Sequence, residues 1–285
     1  MAVQSTVAIA ANHAELRAVL EPWRKAGSTI ALVPTMGALH EGHLALVREA
    51  AAAADKVVVS IFVNPAQFAP QEDFGRYPRT FDSDSEKLER TGAVQLIYAP
   101  KAGDMYPKGF ATKVSVEGPA SGLETDFRPH FFSGVATVVA KLFVQCRPDI
   151  AVFGEKDYQQ LLVVRRLSRD LDLGVEVIGL PTVREPDGLA LSSRNAYLTP
   201  ESRNVASHLN RILIEVGERA RSGVPIPQAE AEGAAALIGA GFDRVDYVAI
   251  RDAETLVPLR TLDGPARVLA AARIGSIRLI DNRSV

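Results

Sequence analysis

Through its first 180 residues the chain alternates short, unbroken apolar runs with segments whose apolar residues recur at helical spacing. The runs Ile30–Val33, Val57–Val63, Leu96–Tyr98, Ile150–Phe153 and Val175–Gly179 are short and rich in valine and isoleucine, which predicts buried strands. Between them, His13–Ala26, Leu44–Ala54, Ser83–Thr91, Val135–Gln145 and Tyr158–Asp170 predict helices. Such alternation with continuous apolar strands implies an α/β fold, a Rossmann-like, doubly wound parallel sheet covered by helices on both faces. After Leu180 the pattern changes. A polar loop, Pro181–Asn195, precedes two helices at about Pro200–Ser222 and Pro227–Ala240, and strands at Val245–Ile250, Val268–Ala272 and Ile277–Ile280, with a hairpin around Gly275. The pattern predicts a first domain over 1–180 and a smaller C-terminal α+β domain over 181–285.

In doubly wound sheets ligands bind beyond the carboxyl ends of the strands. Three polar clusters fall there. Leu32-Val-Pro-Thr-Met-Gly-Ala-Leu-His40-Glu-Gly-His43 places two histidines three residues apart where a strand turns into a helix. Gly37 and Gly42 permit a tight connection whose backbone N–H groups can approach a ligand, and a helix N-terminus favours phosphate. Asn64, Pro65 and Gln67 follow the second strand, and Gly154, Glu155, Lys156 and Asp157 follow the strand Ile150–Phe153. Two imidazoles on such a turn suit a polyphosphate whose charge grows in a transition state. Other motifs fail: Leu44 stands where a zinc-protease helix needs its second histidine, and neither a dinucleotide fingerprint nor a P-loop occurs.

Composition narrows the class further. With 285 residues, 47% of them hydrophobic, and a formal charge of −2, the chain lacks the basic excess of a nucleic-acid binder. No apolar stretch approaches the ~18 residues of a membrane span, and the N-terminal residues do not read as a signal peptide, so the expected compartment is the cytoplasm. The single cysteine, Cys146, closes an apolar helix and reads as packing.

Five stretches together resemble the pantothenate synthetase family: Val33–His43, Ser60-Ile-Phe-Val-Asn-Pro-Ala-Gln-Phe68, Tyr77-Pro-Arg-Thr80, Phe153-Gly-Glu-Lys-Asp-Tyr-Gln-Gln160 and Asp187-Gly-Leu-Ala-Leu-Ser-Ser-Arg-Asn195. They occur in order over most of the chain, which ends in Ile280-Asp-Asn282. The family belongs to the nucleotidylyltransferase superfamily, in which a His-x-Gly-His turn and a mobile basic loop hold ATP from opposite sides. The resemblance implies an AMP-forming ligase of pantoate and β-alanine that works through a pantoyl adenylate, with ATP as co-substrate, Mg2+, and a homodimeric state.

Residue by residue, the resemblance assigns ATP to Met36, Gly37, Ala38, Leu39, His40, Glu41, Gly42 and His43. It adds Gly154, Glu155, Lys156 and Asp157, the backbone of Val183, and Leu191, Ser192, Ser193 and Arg194. His40, His43, Lys156 and Arg194 carry the catalytic roles, with His43 as the catalytic histidine. Gln67 and Gln160 hold pantoate, and Asn64 orients the same substrate or the adenylate. Within Arg128-Pro-His-Phe-Phe-Ser-Gly-Val135 the chain departs from the family, with Phe131 where a histidine is usual and His130 one position early. Asp82 and Asp84 lie where some members carry acids near the metal, yet acids in a first helical turn also stabilise the helix alone, and the magnesium ligands stay unassigned. Two other readings compete: a relative that only transfers AMP, and a nucleotide-binding regulator without turnover.

Overall fold

The computed structural model describes residues 7–69 and 72–285. Contacts divide the chain into two compact units. The first comprises the chain up to Val116, Arg128–Glu155 and Val163–Pro181; the second comprises Glu117–Phe127, Lys156–Leu162 and Thr182–Val285.

The described elements of the first half are β1 (Ala8–Ala10), α1 (His13–Lys25), β2 (Ile30–Thr35), α2 (Glu41–Ala53), β3 (Lys56–Ile61), α3 (Phe81–Thr91), β4 (Leu96–Tyr98) and α4 (Ala102–Met105). They continue with α5 (Glu124–Phe127), α6 (Phe131–Cys146), β5 (Ile150–Gly154), α7 (Tyr158–Asp170) and β6 (Glu176–Leu180). Six strands form one parallel sheet in the order β1-β4-β3-β2-β5-β6. The order reverses direction between β2 and β5, the position at which doubly wound sheets bind ligands. The middles of β2, β3 and β5 are wholly buried, as expected of strands covered on both faces. α2 lays Leu46, Val47 and Ala50 over β2, β3 and β5.

The α/β sheet forms as the apolar pattern predicts. α2 starts at Glu41, three residues before the expected Leu44, because the extended His40 (φ −130, ψ 175) already serves as its N-cap. β1 was not anticipated: three residues, two of them alanine, leave no periodicity to read. Cys146 is fully buried at the end of α6, and burial pushes its thiol up to about 12.

In the second unit α8 (Pro200–Arg221) and α9 (Ile226–Gly239) join an antiparallel sheet of β7 (Arg244–Asp252), β8 (Ala266–Ile274) and β9 (Ile277–Ser284). Leu209, Leu213, Leu237, Ile250 and Val268 lie at its core. The segments 117–127 and 156–162 group with this unit although they precede residue 181. Polar side chains bind them there. Glu124 accepts both Arg278 Nη atoms at 2.7 Å and the Tyr247 hydroxyl at 2.8 Å, and Tyr158 donates to the Ala253 carbonyl at 2.8 Å. Such long-range polar pairing leaves no trace in apolar periodicity.

The expected polar loop after Pro181 is partly ordered as a small hairpin. Arg184 bridges Ala190, Leu191 N donates to the Val183 carbonyl at 3.0 Å, and Glu185 N donates to Leu189 at 2.8 Å. A 3-10 turn over Ser193–Tyr197 follows.

Candidate active site

In the first unit the histidine turn grows out of the carboxyl end of β2. Thr35 donates its hydroxyl to the Ser60 carbonyl on β3 (2.8 Å) and accepts Gly37 N–H (3.2 Å), so sheet and turn are tied through one side chain. Gly37 (φ 81) and Ala38 (φ 51) both take the left-handed conformation that reverses the chain. His40 and His43 then face each other with ring centroids 4.1 Å apart, and His40 N–H donates to His43 Nδ1 at 3.3 Å. They stand at the N-terminus of α2, where the helix dipole is positive.

One expectation about this turn is corrected. Its amides at 37, 38 and 39 are engaged by the protein: Gly37 by Thr35, Ala38 and Leu39 by the carboxylate of Asp84 at 2.8 Å each.

The second cluster is a 3-10 turn over Pro65–Gln67, capped by Asn64, whose side chain accepts Ala66 N–H at 3.2 Å. Asn64 is only 1% exposed. Its amide donates to Gln67 Oε1 (3.0 Å) and to the Gly134 carbonyl (3.2 Å), and its oxygen also accepts the Tyr106 hydroxyl (2.7 Å). Both donor hydrogens and both acceptor lone pairs are thus matched within the protein. Asn64 thus ties the Gln67 side chain to α6 and to Tyr106. Burial pushes the Tyr106 phenol up to about 12, so it stays a donor throughout the neutral range. Gln67 Nε2 lies 3.1 Å from the Met36 sulfur, bringing the amide beside the histidine turn.

Arg128 braces the same turn. It grips Glu72 through Nε at 2.6 Å and Nη2 at 2.9 Å, reaches the Gln67 carbonyl at 3.4 Å, and lies 3.8 Å over the Phe131 ring. Phe131 therefore stacks with arginine. His130 is exposed at the start of α6. Asp82 is exposed while Asp84 is buried and bonded, and among the described residues no cluster of acids, histidines or cysteines could hold a metal ion. Gly154 and Glu155 end and follow β5, both half-buried.

In the second unit Lys156 and Asp157 lie in the 3-10 turn opening α7, with Lys156 Nζ 3.9 Å from the Asp157 carboxylate. Gln160 falls in the first turn of α7 and is half-buried, while its neighbour Gln159 is buried and donates to the carbonyls of Pro119 and Gly122 at 3.0 and 3.2 Å. Asn282 is 3% exposed and donates to the Lys156 carbonyl at 2.9 Å. Its oxygen accepts Arg267 Nε at 2.7 Å, and that guanidinium stacks 3.9 Å from the Tyr158 ring. Arg184 forms a two-pronged pair with Asp281 at 2.6 and 2.9 Å, which anchors the hairpin carrying Val183 and Leu191 to β9. Ser192 caps the turn that follows by accepting Arg194 N–H at 3.3 Å.

Asp84, Tyr106, Gly134 and Asn282 are supporting residues that sequence reasoning left without a role. Asn282 stood within a family stretch, the one signal pointing to it; the others act by contacts between distant segments.

Fold and turn define an α/β protein of the doubly wound, nucleotide-binding type, with a paired-histidine helix start beyond the end of β2. The family model of pantoate-beta-alanine ligase matches residues 8–284, and the chain belongs to that family. It is 58% identical over 280 residues to pantothenate synthetase of Nitrobacter hamburgensis, covering 98% of each chain. The crystal structure of pantothenate synthetase from Thermus thermophilus superimposes with a TM-score of 0.91 at 50% identity, covering 97% of this chain and 99% of that one. A pantoate-beta-alanine ligase from Francisella tularensis, complexed with beta-gamma ATP and beta-alanine, gives 0.82 at 33% identity and 97% coverage of both. Among the described residues no helix is long and apolar enough to cross a membrane.

Proposed function

We propose that the chain joins pantoate to β-alanine in two steps. A carboxylate oxygen of pantoate attacks the α-phosphorus of ATP, and pyrophosphate leaves to give pantoyl adenylate. The free amine of β-alanine then attacks the activated carbonyl, the acyl–oxygen bond breaks, the nitrogen gives up a proton, and AMP departs. The observation that carries this reading is the stacked His40–His43 pair at the start of α2 with the Gln67 amide beside the same turn. Imidazole donors suited to phosphate and an amide suited to a small hydroxy acid lying on neighbouring turns support this reading.

His40 and His43 donate to the phosphates as negative charge moves onto pyrophosphate, and such preorganised donors are worth most where charge develops. Lys156, fixed at its backbone by Asn282, supplies a compact positive charge to the α-phosphate, and Arg194 a planar fork to the phosphate chain. Gln67, with one lone pair and one N–H beyond its bonds to Asn64 and Met36, and the amide of Gln160 address the carboxylate and hydroxyls of pantoate. Little covalent chemistry falls to the protein, so positioning and charge stabilisation supply most of the acceleration. Magnesium enters as the ATP complex: the ion keeps several waters and binds mainly through substrate phosphates. The same reading carries a cytoplasmic homodimer, which cell fractionation and sedimentation of the purified chain test.

The deciding assay is AMP release by the purified chain. Release requires pantoate and β-alanine together; no AMP with both present, or pyrophosphate released while AMP stays joined to a phosphorylated acceptor, overturns the reading.

A further inference from the structure

Asp84, on α3, carries a fully buried carboxylate that grips the histidine turn from behind. One oxygen accepts Ala38 N–H at 2.8 Å and the Thr80 hydroxyl at 3.0 Å; the other accepts Leu39 N–H at 2.8 Å. One helical turn further on, Lys87 donates to the Leu39 carbonyl at 2.7 Å and lies 3.9 Å from the Asp84 carboxylate. α3 therefore holds three main-chain groups of the two residues that precede His40. The same carboxylate accounts for Gly37, where a Cβ would stand 3.2 Å from Asp84 Oδ2 and 3.3 Å from the Ile61 side chain.

The gripped segment is strained. Ala38 has φ 51, a conformation that L-residues other than glycine keep only where surrounding bonds over-determine it, and such strain gathers at functional sites. A buried carboxylate is itself costly unless fully bonded. Two costly features, a left-handed alanine and a buried charge, satisfy each other one residue away from the catalytic pair.

We infer that Asp84, backed by Lys87, is a positioning residue for adenylation: it locks the left-handed turn at Gly37–Ala38 and thereby sets where His40 and His43 stand. The inference rests on the histidine turn being the ATP site. It needs a carboxylate specifically, because both oxygens must accept; an amide turns a donor toward a backbone donor and leaves one amide unpaired. It also separates Asp84 from magnesium, since the oxygens are aimed at backbone N–H groups.

The test is Asp84→Asn, read three ways. Pyrophosphate–ATP exchange with pantoate falls by on the order of 10²-fold in kcat, the scale of a misplacement of about 1 Å. The KM for pantoate and the magnesium concentration for half-activation stay at wild-type values. Combined with the double replacement His40→Ala and His43→Ala, Asp84→Asn adds no further loss, because residues acting as one unit are non-additive. Full exchange activity in a folded variant, an independent loss on top of that double replacement, or a shift in magnesium half-activation overturns the inference. If Asp84→Asn does not fold by circular dichroism, Lys87→Met decides, with a several-fold drop in kcat at unchanged pantoate KM expected and wild-type kcat contrary. Amide hydrogen exchange at Ala38 and Leu39 rises in Asp84→Asn whatever the wild-type enzyme adenylates. A wild type without exchange activity therefore counts against the functional reading, and a variant with protected amides against this one.

Discussion

Replacing Gly134 by alanine isolates the contact on which the pantoate side of the site depends. α6 crosses directly over the Pro65–Gln67 turn. A Cβ on Gly134 would lie 2.3 Å from the Ala66 carbonyl oxygen, 2.6 Å from its carbon and 2.8 Å from Gln67 Cα. Ordinary contact begins at 3.4 Å, so the turn must retreat by about 1 Å, and because the obstacle is backbone no rotamer change relieves it. The bond from Asn64 to the Gly134 carbonyl, at 3.2 Å, is strained by the same shift, and with it the Asn64 hold on Gln67. Overpacking of this kind costs about 1–3 kcal/mol of stability, and a 1 Å displacement of a positioning group costs ~10²-fold in rate. In an unobstructed helix the same change stabilises by about 0.5–1 kcal/mol, so even the sign is diagnostic. The assay pairs a urea midpoint with steady-state kinetics in which pantoate is varied at saturating ATP. Gly134→Ala is expected to unfold at lower urea and to lose about 10²-fold in kcat/KM for pantoate, with nucleotide affinity near wild type. A variant as stable and as active as wild type refutes the reasoning.

Other perturbations follow from the same geometry. Lys156→Ala leaves the fold intact and slows single-turnover adenylation by ~10² or more, and a near-normal rate removes this lysine from the chemistry. Asp281→Ala strands Arg184 without its carboxylate in a mostly buried pair, so thermal or urea unfolding shows a loss of about 3 kcal/mol or more; an unchanged midpoint refutes the anchor. Cys146 resists Ellman's reagent in the native protein at pH 8 and reacts once the chain unfolds. Below its ordinary value of 9.0 both states keep the thiol proton; between 9.0 and about 12 only the unfolded chain loses it, so stability falls as pH rises through that window and Cys146→Ala removes this part of the fall. Arg194→Ala weakens both ATP binding and turnover, and ATP with pantoate protects 183–195 from protease in wild type; equal cleavage with and without ligands argues against closure.

The apolar pattern was enough to place five of the parallel strands and the longer helices between them, though not the short α4 and α5, because continuous Val/Ile runs such as Val57-Val-Val are typical of strands buried on both faces. Candidate chemistry was legible where polar residues interrupt that pattern at strand ends, as at His40–His43 and Asn64–Gln67. What stayed hidden depends on partners far apart in sequence. Asp84 reads as an ordinary first-turn acid, yet it bonds amides about 45 positions earlier. Asn64 reads as a residue that orients the substrate, and nothing in the sequence points to its bonds with Tyr106 and Gly134, about 40 and 70 positions away. The segments 117–127 and 156–162 join the second unit through Glu124 and Tyr158, whose partners lie on or beside its sheet and more than 90 positions away. The loop at 183–195 reads as irregular, yet a turn at Pro186-Asp187-Gly188 closes a hairpin that Arg184 anchors to the distant Asp281.

The two-step mechanism is tested most directly by isotope exchange. With ATP, magnesium and pantoate but no β-alanine, labelled pyrophosphate is expected to pass into ATP, because pantoyl adenylate forms reversibly and stays bound. Adding β-alanine then drains the adenylate to AMP and amide. Exchange that appears only when β-alanine is present contradicts the account.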